Sequence, residues 1–221
     1  MNYLVFPISR QKARKLMNEA DVWLKYLKKY KVTSDSHHNK PLFKNVLKRQ
    51  FNVDAPALAY VADITYIWTS ECWLYLTVVI DLYSRKVVGW SMSSRMKGQL
   101  VVDALQMALW QRKPKDGLIM HTDRVSQYAS HQYRRLLLAY RIRGSMSKKG
   151  DCRHNAVAES FFGSLKQERM QWQNDQTRSE AQQNILNYIT MFYNSHRLHS
   201  YIGYQSPNQY AQNMAILQKT A

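Results

Sequence analysis

The chain has 221 residues, 45% of them hydrophobic, and 32 Lys and Arg against 15 Asp and Glu give it a formal charge of +17. This length and apolar content allow one substantial buried core with a small appendage, and they exclude a disordered chain. The excess of positive charge points to a polyanionic partner, with nucleic acid ahead of an acidic membrane. Two cysteines, Cys72 and Cys152, are too few for a disulfide framework and fit a reducing, cytoplasmic setting. No apolar run approaches the roughly 20 residues of a membrane helix, so no membrane partner is expected. The opening stretch, Met1 to Ser9, lacks a basic region and a cleavage site and reads as neither signal nor anchor.

Residues 1–50 read as a basic helical arm and linker. Ser9 is placed to cap a helix, and Leu16, Ala20, Trp23, Leu24 and Leu27 recur at helical spacing. Thr33 to Pro41 is polar and reads as a linker. The main domain, 51–211, which includes a C-terminal helix, opens with strand-like segments at about 58–68, 73–82 and 86–92. The second, Trp73 to Leu82, is almost continuously apolar, as a central strand covered on both faces requires. A helix over about 98–112 buries Leu100, Val101, Ala104, Leu105, Ala108 and Leu109 on one face. A strand at 117–122, a helix near 130–140, a short strand near 142–146 and a helix from about 155 follow, with residues 212–221 as a tail. The order predicts a mixed α/β fold: five strands in one sheet, flanked by helices, with acidic residues gathered at one edge of the central strands.

Three carboxylates stand out. Asp63 lies inside an apolar strand, where an ionised group is costly unless paired or bound to metal. Asp123 ends the fourth strand, and Glu159 opens the helix from about 155, with 35 residues between them. Phosphodiester cleavage needs an activated oxygen nucleophile and stabilisation of the leaving oxygen. Two divalent ions roughly 3.5–4 Å apart, held by carboxylates, supply both. A strand, a strand end and a helix can present such ligands from different sides. Asp81, in the second strand, reads as a structural or secondary residue. Asn155, Phe162 and Lys166 share the helical face of Glu159, and Lys166 is placed to meet a phosphate, whereas Phe161 and Leu165 face the sheet.

The words around these residues resemble the orfB-type transposases of insertion-sequence family three. They include Asp63-Ile64-Thr65-Tyr66-Ile67, Val79 to Trp90, His121-Thr122-Asp123-Arg124-Val125-Ser126-Gln127-Tyr128, Ser145 to Gly150, Ala158 to Glu168, Phe192 to Ser200 and Gly203 to Pro207. The resemblance covers about residues 10–211. It implies a ribonuclease-H-like integrase core, with Asp63, Asp123 and Glu159 as the catalytic, metal-binding triad and two Mg²⁺ or Mn²⁺ ions as cofactors. It further implies cleavage and transfer of DNA strands at insertion-sequence ends by a homo-oligomer on DNA. End recognition would come from a helix-turn-helix protein of an upstream frame. Two departures stand out: Val125 where the family usually has glycine, and His154 where it usually has an acid. Valine would be strained if that turn required positive φ, and the histidine removes an expected cap or charge partner. The amino-terminal helical region is also shorter than the family's.

The remaining DNA contacts expected are Lys148 and Lys149 in a loop, Asn155 on the Glu159 face, and Arg10, Lys12, Arg14 and Lys15 in the arm. If ~6 cations bind phosphates, affinity falls with salt at a log–log slope near −5. Tyr193, Asn194, Arg197 and His199 suit either DNA contact or packing. Cys152 and His154 with His196 and His199 match no common zinc spacing. The rival readings are a truncated or degenerate DNA-binding remnant and a nuclease of RNA–DNA hybrids.

Overall fold

The computed structural model describes residues 8–22, 40–48, 50–114, 116–147, 155–172 and 175–220. The chain divides into two units, residues 1–33 and 34–221. In the first, helix α1 spans Arg10–Glu19, and the Ser9 hydroxyl accepts from the Lys12 N–H at 3.2 Å, the N-cap the sequence suggests. The helix stops at Ala20, and Asp21 takes a positive φ. Trp23, Leu24, Leu27 and the expected linker over 33–39 lie outside the described residues.

The second unit runs β1 (Ala59–Trp68), β2 (Trp73–Asp81), β3 (Val87–Ser93), α2 (Gly98–Arg112), β4 (Ile119–Thr122), α3 (His131–Ala139), β5 (Arg143–Met146), α4 (Ala156–Glu168), α5 (Arg178–Asn187), a π-helical segment (Tyr188–Tyr193) and α6 (Pro207–Thr220). The five strands form one sheet in the order β3-β2-β1-β4-β5. β1 pairs antiparallel with β2 and parallel with β4, so the sheet is mixed as expected. Alternation along the strands feeds two apolar layers. Val61, Ile67, Leu76, Val78 and Ile80 pack with Phe161, Leu165, Ile185 and Ile189 of the α4–α5 side. Tyr60, Ala62, Val79 and Val88 pack with Val101, Leu105, Tyr133 and Leu137 of the α2–α3 side. Because β2 is covered on both faces, its sequence is a continuous apolar run. Burying one side chain the size of Phe161 contributes about 1.5–3 kcal/mol to this core.

Two glycines record close approaches. A Cβ on Gly89 would stand 2.2 Å from the Ala104 carbonyl oxygen, so β3 can lie against α2 only with glycine there. One on Gly144 would stand 2.7 Å from the Phe43 ring, which ties residues 40–48 to β5. The Ser145 hydroxyl strengthens that tie by accepting from the Val46 and Leu47 N–H groups at 2.9 and 3.2 Å. With its oxygen so engaged, its proton is free for His121 Nδ1 at 2.9 Å. Leu47 is buried in the core.

At the other end α6 runs through Thr220, so the segment expected as a tail over 212–221 is helical as far as that residue. Ser206 accepts from the Gln209 N–H at 3.3 Å and Pro207 occupies the first helical position. Packing accounts for the group left open between DNA and core. Asn194 is buried and exchanges two 3.0 Å bonds with the Val87 backbone, while Tyr193 is buried and His199 meets its ring. Arg197 pairs with Glu168 at 2.9 Å.

Candidate active site

Strand register brings the first two carboxylates together. β1 and β4 pair in parallel up to Ala62 opposite Thr122, so Asp63 and Asp123 each follow the last paired residue, and the charge of Asp123 reaches Asp63. The chain after β4 is held firmly. Ser147 N–H donates to the Thr122 carbonyl at 3.0 Å, Arg124 Nε donates to the Ser147 carbonyl at 2.6 Å, and Val125 N–H donates to Asp123 Oδ1 at 3.3 Å. Val125 is buried and does not adopt positive φ, so this turn carries no strain from replacing glycine.

Asp63 accepts from the Ile64 N–H at 2.8 Å. Burial holds its carboxyl well above the usual aspartate range, and the charges of Asp123 and Glu159 push it further up. Burial also raises Asp123, to about 6, against the lowering effect of the Val125 N–H. Both aspartates keep an edge in solvent, but protein surrounds their carboxyl ends closely enough to withhold most hydration.

Glu159 stands in the first turn of α4, where helix N-termini favour negative charge. The residue is exposed, yet partial burial of its carboxyl end holds it above the usual glutamate value. α4 is aimed by Asn155, whose Nδ2 donates to the Ala62 carbonyl at 3.5 Å and which also hydrogen-bonds Asp63, favouring its charged form. Asn155 is buried. Its Oδ1 has no hydrogen-bond partner among the described residues, and its contact with DNA stays a proposal. Phe161 and Leu165 are buried as expected, but so is Phe162, which the helical wheel had placed with Glu159. Lys166 is half-buried: burial lowers its pKa and the charge of Asp63 raises it. Its Nζ stands over the Tyr66 ring at 5.3 Å.

The donors are hard oxygens in mutual repulsion, which suits a hard divalent cation. Close to the aspartates, Tyr128 is fully buried in the field of both, and its hydroxyl has no hydrogen-bond partner among the described residues. Such a group needs an acceptor or a water that an occupied site would order. Among the described residues, no three His, Cys, Asp or Glu side chains stand close enough to hold one ion together. The structure therefore supplies an adjacent aspartate pair, with Glu159 nearby and facing solvent.

Asp81, read as a structural or secondary residue, is held within the fold. It is fully buried, accepts from the Ser84 hydroxyl at 2.8 Å and lies 3.9 Å from Arg112. Arg10, Lys12, Arg14 and Lys15 are exposed on α1, Lys15 within 3.9 Å of Glu19. Lys148, Lys149, Cys152 and His154 lie outside the described residues. Sequence reasoning missed Tyr128. Its signal was a tyrosine five residues after a candidate ligand, indistinguishable in sequence from a core aromatic.

Two models described as integrase core domain match residues 54–152 and 159–214. The transposase InsF for insertion sequence IS3fB of Escherichia coli (strain K12) is 47% identical over 189 residues, 85% of this chain and 66% of that protein. The chain thus spans 66% of the length of that relative and 64% of the InsF transposase for IS3A from the same organism. The insertion element IS600 uncharacterized 31 kDa protein of Shigella sonnei is 40% identical over 200 residues, 90% of this chain and 74% of that one. Among solved structures, the HTLV-2 integrase catalytic core domain in complex with magnesium superposes with a TM-score of 0.57 at 16% identity, covering 70% of this chain and 95% of that one. The shared fold is the ribonuclease-H-like mixed sheet. No helix among the described residues is long and apolar enough to cross a membrane. With relatives this similar over nearly its whole length, and an integrase core accounting for its sheet, the chain belongs to the IS3-type insertion-sequence transposases.

Proposed function

We propose that this chain carries the catalytic core of an insertion-sequence transposase that cuts DNA at the element's ends and joins the freed 3′-hydroxyl to a second phosphodiester. The observation that carries the reading is the register of β1 and β4, which sets Asp63 beside Asp123 within reach of Glu159's charge. Asp63, Asp123 and Glu159 would hold the divalent ions, Mg²⁺ or Mn²⁺ and two in number. When bound, these supply Lewis-acid stabilisation of the attacking and leaving oxygens.

The chain's own groups do the positioning. β1 fixes Asp63 on a rigid strand, the Val125 N–H orients the Asp123 carboxylate, and Asn155 anchors the start of α4 to β1. Lys166 offers a cation to a phosphate flanking the bond to be cut. In the first step a water oxygen bonds to phosphorus and the 3′-oxygen leaves as hydroxyl. In the second that hydroxyl attacks another phosphodiester and displaces its 3′-oxygen. No protein nucleophile is required. DNA is the partner, a homo-oligomer the active form, and a helix-turn-helix protein of an upstream frame the source of end recognition. Bacterial cytoplasm, with association to the nucleoid through bound DNA, is the setting.

The test is joining of a labelled end duplex to plasmid DNA by the purified chain in Mn²⁺, with EDTA as control and the upstream module added in a second arm. Metal-dependent joined product supports the reading. Salt-sensitive binding without product in either arm would favour the remnant.

A further inference from the structure

Beyond the carboxylates, β1 and β2 end in a cluster of aromatic rings. Trp68 and Trp73 face each other across the strands with ring centroids 4.8 Å apart, and Trp73 meets Tyr66 edge-on at 5.0 Å. Trp68 is 62% exposed and Trp73 39%, a large apolar surface for a strand end to leave in water. The hairpin beneath them is built to stay in place. Thr69 Oγ1 donates to the Cys72 carbonyl at 2.7 Å, Ser70 N–H donates to the Asp175 carbonyl at 3.2 Å, and Glu71 pairs with Arg178 at 2.9 Å.

Its position relative to the carboxylates is specific. Pairing of β1 with β4 stops at Ala62, so among the described residues β1 has no strand partner on that side from Asp63 onward. Lys166 comes over Tyr66 at 5.3 Å in that stretch while sensing the charge of Asp63. Strand alternation turns Tyr66 and Trp68 to the face opposite Asp63, and Lys166 links the two, sensing Asp63 while standing over Tyr66, from which ring contacts lead on to Trp73 and Trp68. Trp68 lies five residues beyond Asp63, roughly 16 Å along the strand. A cation beside exposed, rigid aromatic rings is the chemistry of single-stranded nucleic-acid binding, in which phosphates meet the charge and bases stack on the rings.

We propose that Trp68 and Trp73 form a stacking platform for an unpaired nucleobase of the DNA strand adjoining the bond to be cut, so that the site takes a frayed end in preference to an intact one. This rests on reading the carboxylates as a DNA-cleaving site. The proposal predicts tighter binding to DNA ends whose last few bases are already unpaired.

The test uses the full chain and two end duplexes, one blunt and one with a three-nucleotide single-stranded overhang carrying 2-aminopurine. The parent should bind the overhang duplex more tightly and quench the probe. Trp68→Ala should lower overhang affinity roughly 5- to 100-fold and abolish quenching, with blunt-duplex affinity unchanged. Trp68→Phe should restore most of both, which separates stacking from a folding defect. Equal affinity of the parent for the two duplexes overturns the proposal, as does an equal loss on both in Trp68→Ala. Metal-dependent cleavage is scored on the same DNA with the parent and Asp63→Asn. A parent that prefers the overhang but never cuts refutes the cleavage reading and leaves the platform standing.

Discussion

Replacing Asp123 by asparagine should stabilise the metal-free protein at neutral pH. Burial moves this carboxyl from its ordinary 3.8 to about 6, so the folded state holds the proton more tightly than the unfolded chain does. Protonated Asp123 is accommodated; ionised Asp123 is not. The native state is thus favoured below about pH 4, and that advantage is lost as pH rises through 6. At about 1.4 kcal/mol per pH unit, the ionised group costs up to about 3 kcal/mol at pH 7.5. Asparagine removes the charge and keeps an oxygen for the Val125 N–H. The expected gain is therefore about 1–3 kcal/mol, or about 2–4 °C for each kcal/mol in a domain of this class. Urea unfolding in EDTA at pH 4, 6 and 7.5 measures it, and the gain should shrink toward zero at pH 4. Mn²⁺ should reverse the order, since the parent gains about 2.7 kcal/mol at a hundredfold excess over Kd and the variant does not. A variant less stable than the parent at pH 7.5 in EDTA would refute the reasoning.

Tyr128→Phe removes a buried hydroxyl that has no partner among the described residues, so stability should hold within about 1 kcal/mol while the cleavage rate falls; urea titration and end cleavage separate the two. Asp81→Ala should cost about 3–5 kcal/mol by stranding Arg112 and Ser84, seen as a fall in Tm whether or not metal is present. Gly89→Ala should cost at least about 3 kcal/mol, because its methyl meets the Ala104 carbonyl, and circular dichroism melting detects it. Lys166→Ala should weaken DNA binding with little dependence on sequence and reduce the log–log salt slope by about 1, read from titrations across a salt series.

Particular elements show what the sequence makes legible. β2 announces a doubly covered strand because every residue from Leu74 to Asp81 is buried or nearly so. Asp63 stands out because an ionised group inside an apolar strand is costly, and Asp123 because it ends an apolar run. Their adjacency depends on the parallel pairing of Ala62 with Thr122, a long-range fact that no local pattern contains. Helix α6 escaped notice past residue 211 because its sequence is polar and mostly exposed, although Ser206 and Pro207 carry its start signal. Asn155 makes a related point. Helical spacing assigns a face but cannot show that the first residue turns back to hydrogen-bond β1. The Trp68–Trp73 pair needs the cross-strand register to be seen as one surface.

The most direct test compares strand transfer in Mn²⁺ by the parent, Asp63→Asn, Glu159→Gln and the double variant. Groups acting as one metal-binding unit give non-additive losses, so each single variant should lose nearly all joining and the double should lose no more. Joining by Glu159→Gln at the parent's rate would contradict the account, leaving Glu159 as the exposed glutamate of an ordinary helix.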